Sequence, residues 1–301
     1  MQTLSAFDSR LADVAGVSIR SAGELYGSDG EGLPLVVIEN ALGSAVLALQ
    51  GAHLVSFRPA GAEDLLWLSP KAVFTPGKAI RGGIPLCLPW FGGHPEGKPA
   101  HGFARAQPWT LDAVRTLPDG KTELDLSLTP NAAVSALWPH DFLFELRVTV
   151  GRELTLALTA HHRGDTPVPF SSAFHTYFSV PDVVLATIDG LQGTTYIDTV
   201  GGAHTRHTQL GALQVAGPTD RVYLDVPAVQ SIATARGAIR IDSDTRSAVV
   251  WNPWEYANNV PDVGSDGYRR FVCVERGDVF DNALQLAPGE RYHRSMTLSL
   301  A

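Results

Sequence analysis

The run Thr122–Leu128, T-E-L-D-L-S-L, decides the fold. Leu124, Leu126 and Leu128 fall on one side of an extended chain and Glu123, Asp125 and Ser127 on the other, because successive side chains of a strand point to opposite faces. The same period returns in Phe144, Leu146, Val148 and Val150 against Glu145, Arg147 and Thr149, and again in Leu154, Leu156 and Leu158 against Thr155, Ala157 and Thr159. Each run reads as a half-buried strand. Turn signals lie around them: P-D-G at 118–120, R-G-D-T-P at 163–167, G-G at 201–202 and A-P-G-E at 287–290. Short strands divided by such turns predict antiparallel sheets packed on each other. No amphipathic helix exceeds two or three turns, and the strand-helix-strand rhythm of an α/β fold is missing. The expected class is therefore all-β, a large antiparallel β-sandwich. The length of 301 residues alone would allow two domains, but no repeat, low-complexity tract or linker divides the sequence. Residues 1–301 are read as one domain.

Apolar residues make up 45% of the chain and charged ones 18%, with 29 Gly and 20 Pro, which fits a globular core with many turns and excludes wholesale disorder. The net charge of −8 and the scatter of the basic residues leave no footprint for a nucleic-acid backbone. An anionic ligand is not excluded, since a few arginines in one pocket suffice. The opening M-Q-T-L-S-A-F-D-S-R lacks a basic region followed by an apolar stretch, and no run reaches the roughly 18 apolar residues of a membrane span. A cytoplasmic protein without membrane or nucleic-acid partners is expected. The two cysteines, Cys87 and Cys273, sit in apolar segments and read as buried free thiols.

Candidate chemistry gathers in a few places. The stretch Ile80–Trp109 is rich in Gly, Pro and aromatics and has little periodicity, which marks an irregular loop that meets water or a ligand. Within it, R-G-G at 81–83 lacks the lysine and the following helix of a phosphate loop. Arg81 can instead present its fork to an anionic or polyhydroxylated ligand, or form a solvated ion pair. His101 and Arg105, in H-G-F-A-R, either line one pocket wall or cap the loop. His175, among the aromatics of F-H-T-Y-F, is either a core histidine bonded to a carbonyl or a proton carrier near its ordinary pKa of about 6.5. Glu275 closes the apolar run F-V-C-V-E. A carboxylate there must be paired, or must open on a cleft where it is ionised and ready as a base. His161-His162 and H-T-R-H at 204–207, the latter in an expected loop, lack the companions of a metal site. No metal is expected.

Together these stretches resemble the aldose 1-epimerase (mutarotase) superfamily, in its hexose-6-phosphate mutarotase, or glucose-6-phosphate 1-epimerase, branch. The resemblance rests on nine strings that run in order over nearly the whole chain: G-A-H-L-V-S-F at 51–57, L-L-W-L-S at 65–69, I-R-G-G-I-P at 80–85, P-W-F-G at 89–92, H-G-F-A-R at 101–105, F-H-T-Y-F at 174–178, T-D-R-V-Y at 219–223, V-W-N-P-W at 250–254 and V-C-V-E at 272–275. It implies a galactose mutarotase-like supersandwich without a cofactor, acting on hexose phosphates and expected as a monomer. It also implies that His175 and Glu275 are catalytic and that Arg81, His101, Arg105 and Asp220, the last in an expected loop, bind substrate. Ala100 stands where eukaryotic members of the branch carry Gln, so that contact is absent or supplied otherwise.

Mutarotation needs a base at the anomeric hydroxyl and an acid at the ring oxygen. Glu275 is assigned the first role and His175 the second, with Arg81 and Arg105 holding a 6-phosphate. Epimerisation of free sugars, and sugar binding without catalysis on the same scaffold, are the alternatives. Glycoside hydrolysis by an Asp220 and Glu275 pair is a third.

Overall fold

A computed structural model describes residues 14–27 and 32–301, without the side chains of 258 and 259. The opening decapeptide read above lies outside the described residues. Among those described, every pair of named strands is antiparallel, and the helices are short, Ala22–Tyr26 and Ala132–Leu137 being the two α-helices. None is long and apolar enough to cross a membrane.

Two large sheets form the sandwich. One has nine strands, in the spatial order Leu213–Gln214, Thr187–Asp189, Val229–Thr234, Gly237–Ser243, Arg291–Leu300, Leu154–His162, Phe142–Val150, Thr122–Leu128 and Thr110–Thr116. The other has eight: Thr205–Thr208, Thr195–Asp198, Thr219–Tyr223, Ser247–Asn252, Phe271–Asp278, Ser172–Phe174 and Leu86–Cys87, with Tyr177–Ser179 also on Phe271–Asp278. A four-stranded sheet, Val17–Ser21, Pro34–Asn40, Gly43–Ala48 and His53–Pro59, adjoins them.

The alternating runs behave as their period predicts. Leu124, Leu126, Phe144, Leu146, Leu154, Leu156 and Leu158 are all buried, and with Met296 and Leu298 they meet Tyr223, Ala248, Val250, Val272 and Val274 of the eight-stranded sheet in one core. Each large side chain removed from water there contributes on the order of 1.5–3 kcal/mol, which outweighs any local strand preference.

Three expectations change. The stretch Ile80–Trp109 is more built than a loop: Leu86–Cys87 pairs with Ser172–Phe174, and Ile84, Leu88, Phe103 and Trp109 are buried. Asp220 lies in the strand Thr219–Tyr223 rather than a loop. Of the H-T-R-H segment, His204 lies in a loop as expected, but Thr205, Arg206 and His207 enter the strand Thr205–Thr208, whose short exposed run of polar side chains hides its extended geometry from a hydrophobic pattern.

Candidate active site

The strand Phe271–Asp278 is buried along its whole length, with sheet neighbours on both edges and packed layers on both faces. It pairs with Ser172–Phe174 at one end and Tyr177–Ser179 at the other, in a single register running from Phe174 opposite Arg276 to Tyr177 opposite Cys273. The same register sets His175 directly across from Glu275. The two residues between the short strands leave the ladder: the amide of His175 donates to the carbonyl of Pro85 at 3.0 Å, and that of Thr176 to the carbonyl of Phe174 at 2.8 Å. Cross-strand neighbours lie close enough for their side chains to meet. His175 Nε2 is 3.4 Å from Glu275 Oε1.

Above this pair opens a cavity of about 480 Å³, whose lining includes Arg81, His101, Arg105, His175, Asp220 and Glu275. All six residues singled out in the sequence therefore share one wall system, although they come from four separate stretches of chain. Pro85 and Phe91 line it too, whereas Pro89 and Trp90 do not.

The electrostatics differ from those of the free side chains. His175 is 7% exposed and Glu275 1%. Burial, with the charge of Asp220, pushes the Glu275 carboxyl well above the usual carboxylate range, against the opposing pull of Arg105. Burial, with His101 and Arg105 nearby, holds His175 well below the usual imidazole value. Both shifts favour the uncharged forms over the ordinary values read from the sequence, because each charge would lose its hydration on burial. Glu275 Oε2 and His175 Nδ1 have no hydrogen-bond partner among the described residues. The ring of His175 lies flat on Tyr177, centroids 4.9 Å apart at 9°.

His101 is held by its backbone. Its φ of 62° is left-handed, and Gly102 follows at φ 73°, where an added Cβ would lie 2.0 Å from the carbonyl oxygen of Leu88. Only glycine fits that approach. The Gly92 amide donates to His101 Nδ1 at 3.4 Å. Burial and the charges of Arg105 and Arg81 pull its pKa down to about 4, so the ring is neutral with its proton on Nε2, a donor for a ligand oxygen.

The two arginines are not equivalent. Arg81 Nη1 donates to Tyr177 Oη at 3.0 Å, and its Nε is 3.2 Å from Asp262 Oδ1. Arg81 thus combines the two readings left open for it, lining the cavity while forming an ion pair. Arg105 Nη2 donates to the carbonyl of Ala100 at 2.8 Å, a backbone contact indifferent to the missing glutamine side chain, and Arg105 has no carboxylate partner among the described residues. Asp220, raised by burial, takes the Thr199 amide and hydroxyl on its carbonyl oxygen.

Sequence reasoning missed Asp262, and it missed His204, Phe280 and Trp251 on the cavity wall. Three of the six left-handed non-glycine residues described, His101, His204 and Phe280, line this cavity. Such backbone strain gathers at functional sites, but no residue type announces it. Cys273 completes a group with His175 and Glu275 whose ligand atoms all lie within 4.8 Å of one another. Burial pushes its thiol well above the ordinary value.

Comparison with known proteins shows the family. The family described as aldose 1-epimerase matches residues 34–299. A protein of Escherichia coli (strain K12) named "Putative glucose-6-phosphate 1-epimerase" is 40% identical over 249 residues, 81% of this chain and 82% of its own. One of Cenchrus ciliaris with the same name is 36% identical over 282 residues, 89% of this chain and 85% of its own. The crystal structure of a "putative mutarotase" from Salmonella typhimurium superposes with a TM-score of 0.86 at 34% identity, covering 96% of this chain and 95% of that one. The chain belongs to the aldose 1-epimerase family and is a carbohydrate epimerase, an isomerase of the mutarotase kind.

Proposed function

We propose that this chain, acting as a single-domain monomer in the cytoplasm, interconverts the α and β anomers of hexose 6-phosphates, with glucose 6-phosphate the reference substrate. Glu275 and His175 are the catalytic residues, and Arg81, His101, Arg105 and Asp220 bind the sugar phosphate. The observation that carries the reading is the His175–Glu275 contact of 3.4 Å at the wall of a cavity that also holds an arginine without a carboxylate partner. The names of the relatives support the phosphorylated substrate.

The pair needs one proton. Burial favours it on the Glu275 carboxyl, and transfer to His175 Nε2 gives carboxylate and imidazolium without any change in the pair's total charge. Glu275 then takes the proton of the anomeric hydroxyl while His175 gives its proton to the ring oxygen. The bond between C1 and that oxygen breaks, leaving an aldehyde and a hydroxyl. Rotation about C1–C2 presents the other face of the aldehyde. The former ring oxygen attacks C1, returns its proton to His175, and Glu275 protonates the carbonyl oxygen, so the site ends as it began. A neutral His101 donates to a sugar oxygen, and Asp220 accepts from a hydroxyl.

Glu275→Gln is expected to lower exchange of glucose 6-phosphate anomers by at least about a hundredfold, the usual range for a lost acid-base group, while ligand binding persists. NMR exchange spectroscopy reads the rate; wild-type exchange in this variant would remove Glu275 from the chemistry. Equal rates on glucose and glucose 6-phosphate would favour free sugars as substrates.

A further inference from the structure

We infer that Asp262 is an internal counter-ion that stands in for the substrate's phosphate on Arg81 and keeps phosphate binding from becoming too tight. The inference rests on the proposed hexose phosphate substrate. Arg81 Nε and Asp262 Oδ1 are 3.2 Å apart, with both side chains only partly buried, at 29% and 26% exposure. Yet Nε is counted among the buried nitrogens without a hydrogen bond, so the contact is an ion pair of poor alignment. A guanidinium binds a carboxylate best through two parallel hydrogen bonds, and this pair makes neither.

Asp262 is nevertheless held in place. Its carbonyl accepts the Ser69 hydroxyl, and that hydroxyl oxygen accepts the amide of Lys71. The carboxylate is therefore carried on an anchored backbone, while its grip on the arginine is loose. Asp262 is not part of the cavity lining, whereas Arg81 is. The guanidinium thus lies between a fixed carboxylate on one side and the ligand space on the other, and an entering phosphate competes for it. A neutral sugar hydroxyl offers no such competition.

The chemistry gives a reason for the arrangement. The two anomers carry the same phosphate, remote from the reacting carbon, so part of its binding energy is common to substrate, product and transition state. Such uniform binding lowers KM without speeding the reaction, and in excess it slows release. A carboxylate that the phosphate must displace lowers this uniform term and leaves the ring chemistry at His175 and Glu275 alone.

The test measures anomer exchange by the full chain on glucose 6-phosphate and on glucose, with inorganic phosphate as competitor. Asp262→Asn is expected to lower the KM for glucose 6-phosphate and the inhibition constant for inorganic phosphate about tenfold each, a change of about 1.4 kcal/mol. The KM for glucose should stay as it is. Asp262→Ser, which also removes the charge, should give the same shift, and unfolding midpoints verify that both variants are folded. Unchanged or raised phosphate constants in the folded variants would overturn the inference and leave Asp262 a residue that merely orients Arg81. The double variant Arg81→Gln with Arg105→Gln separates the two levels of the reading. If it leaves the preference for phosphorylated over free sugar intact, the phosphate site itself is wrong; if it abolishes the preference while Asp262→Asn changes nothing, only the role of Asp262 fails.

Discussion

The strands Phe142–Val150 and Phe271–Asp278 belong to opposite sheets and obey different rules. In the first, Phe142, Phe144, Leu146, Val148 and Val150 are buried while Glu145 and Arg147 are exposed, so one face meets the core and the other meets water. In the second every residue is buried, including Glu275, Arg276 and Asp278. The difference shows most clearly in two neighbours. Arg276 donates to Gln230, to Thr245 Oγ1 and to the carbonyls of Pro227, Ala228, Ser243 and Thr245. Glu275, on the other face, keeps an oxygen without a partner among the described residues. A buried polar group that is fully satisfied holds structure together, whereas one left wanting marks a place where a ligand completes the set.

This contrast can be broken or sharpened by substitution. The largest effect is expected at Arg276, where exchange to Met strips six acceptors of their donor. Arg276→Met should cost about 3 kcal/mol or more in urea denaturation, and a loss under about 1 kcal/mol would show that its network settles nothing. A smaller effect of opposite sign is expected at Glu275. The folded carboxyl keeps its proton above the ordinary value of 4.5, while the unfolded chain releases it there, so this residue subtracts stability as pH rises past that point. Glu275→Gln should therefore gain about 1 kcal/mol at pH 7. The gain should vanish below about pH 4.5, where both states hold the proton. A variant of equal or lower stability at pH 7 would contradict the strained carboxyl. At exposed Glu145 the outward face is indifferent, and Glu145→Gln should stay within about 0.5 kcal/mol of the parent; a larger change would mean that the solvent face carries structural charge.

What the sequence made legible follows the same division. Thr122–Leu128 appears with the bounds its alternation sets, and Leu154–Leu158 and Phe144–Val150 extend by only a few residues, because a strand with one wet face writes its period into the residues. The run F-V-C-V-E has no period, since residues on both its faces are buried, and it could be read only as an apolar segment ending in a costly carboxylate. The site residues were found through their types and through family likeness, but their meeting could not be: His175 and Glu275 are a hundred positions apart and are joined by sheet register alone. Asp220 was taken for a loop residue because a short polar strand lacks the hydrophobic alternation that reveals it, whereas His204 does lie in a loop, just before the strand Thr205–Thr208. Asp262 gave no signal at all, being one acid among 31 Asp and Glu until the fold sets it against Arg81.

The register that faces His175 with Glu275 also sets a demand on folding fidelity. A strand that is apolar on both sides has little pattern to tell one alignment from the next. A slip by a single position would put Val274 or Arg276 across from the histidine, burying nearly as much hydrocarbon while leaving the pocket without its acid. The bonds of Arg276 to the chain at 227–230 and 243–245 oppose that slip, because they cannot form one residue out of step. The arginine that takes no part in the chemistry thereby ensures that its neighbour is in position to perform it.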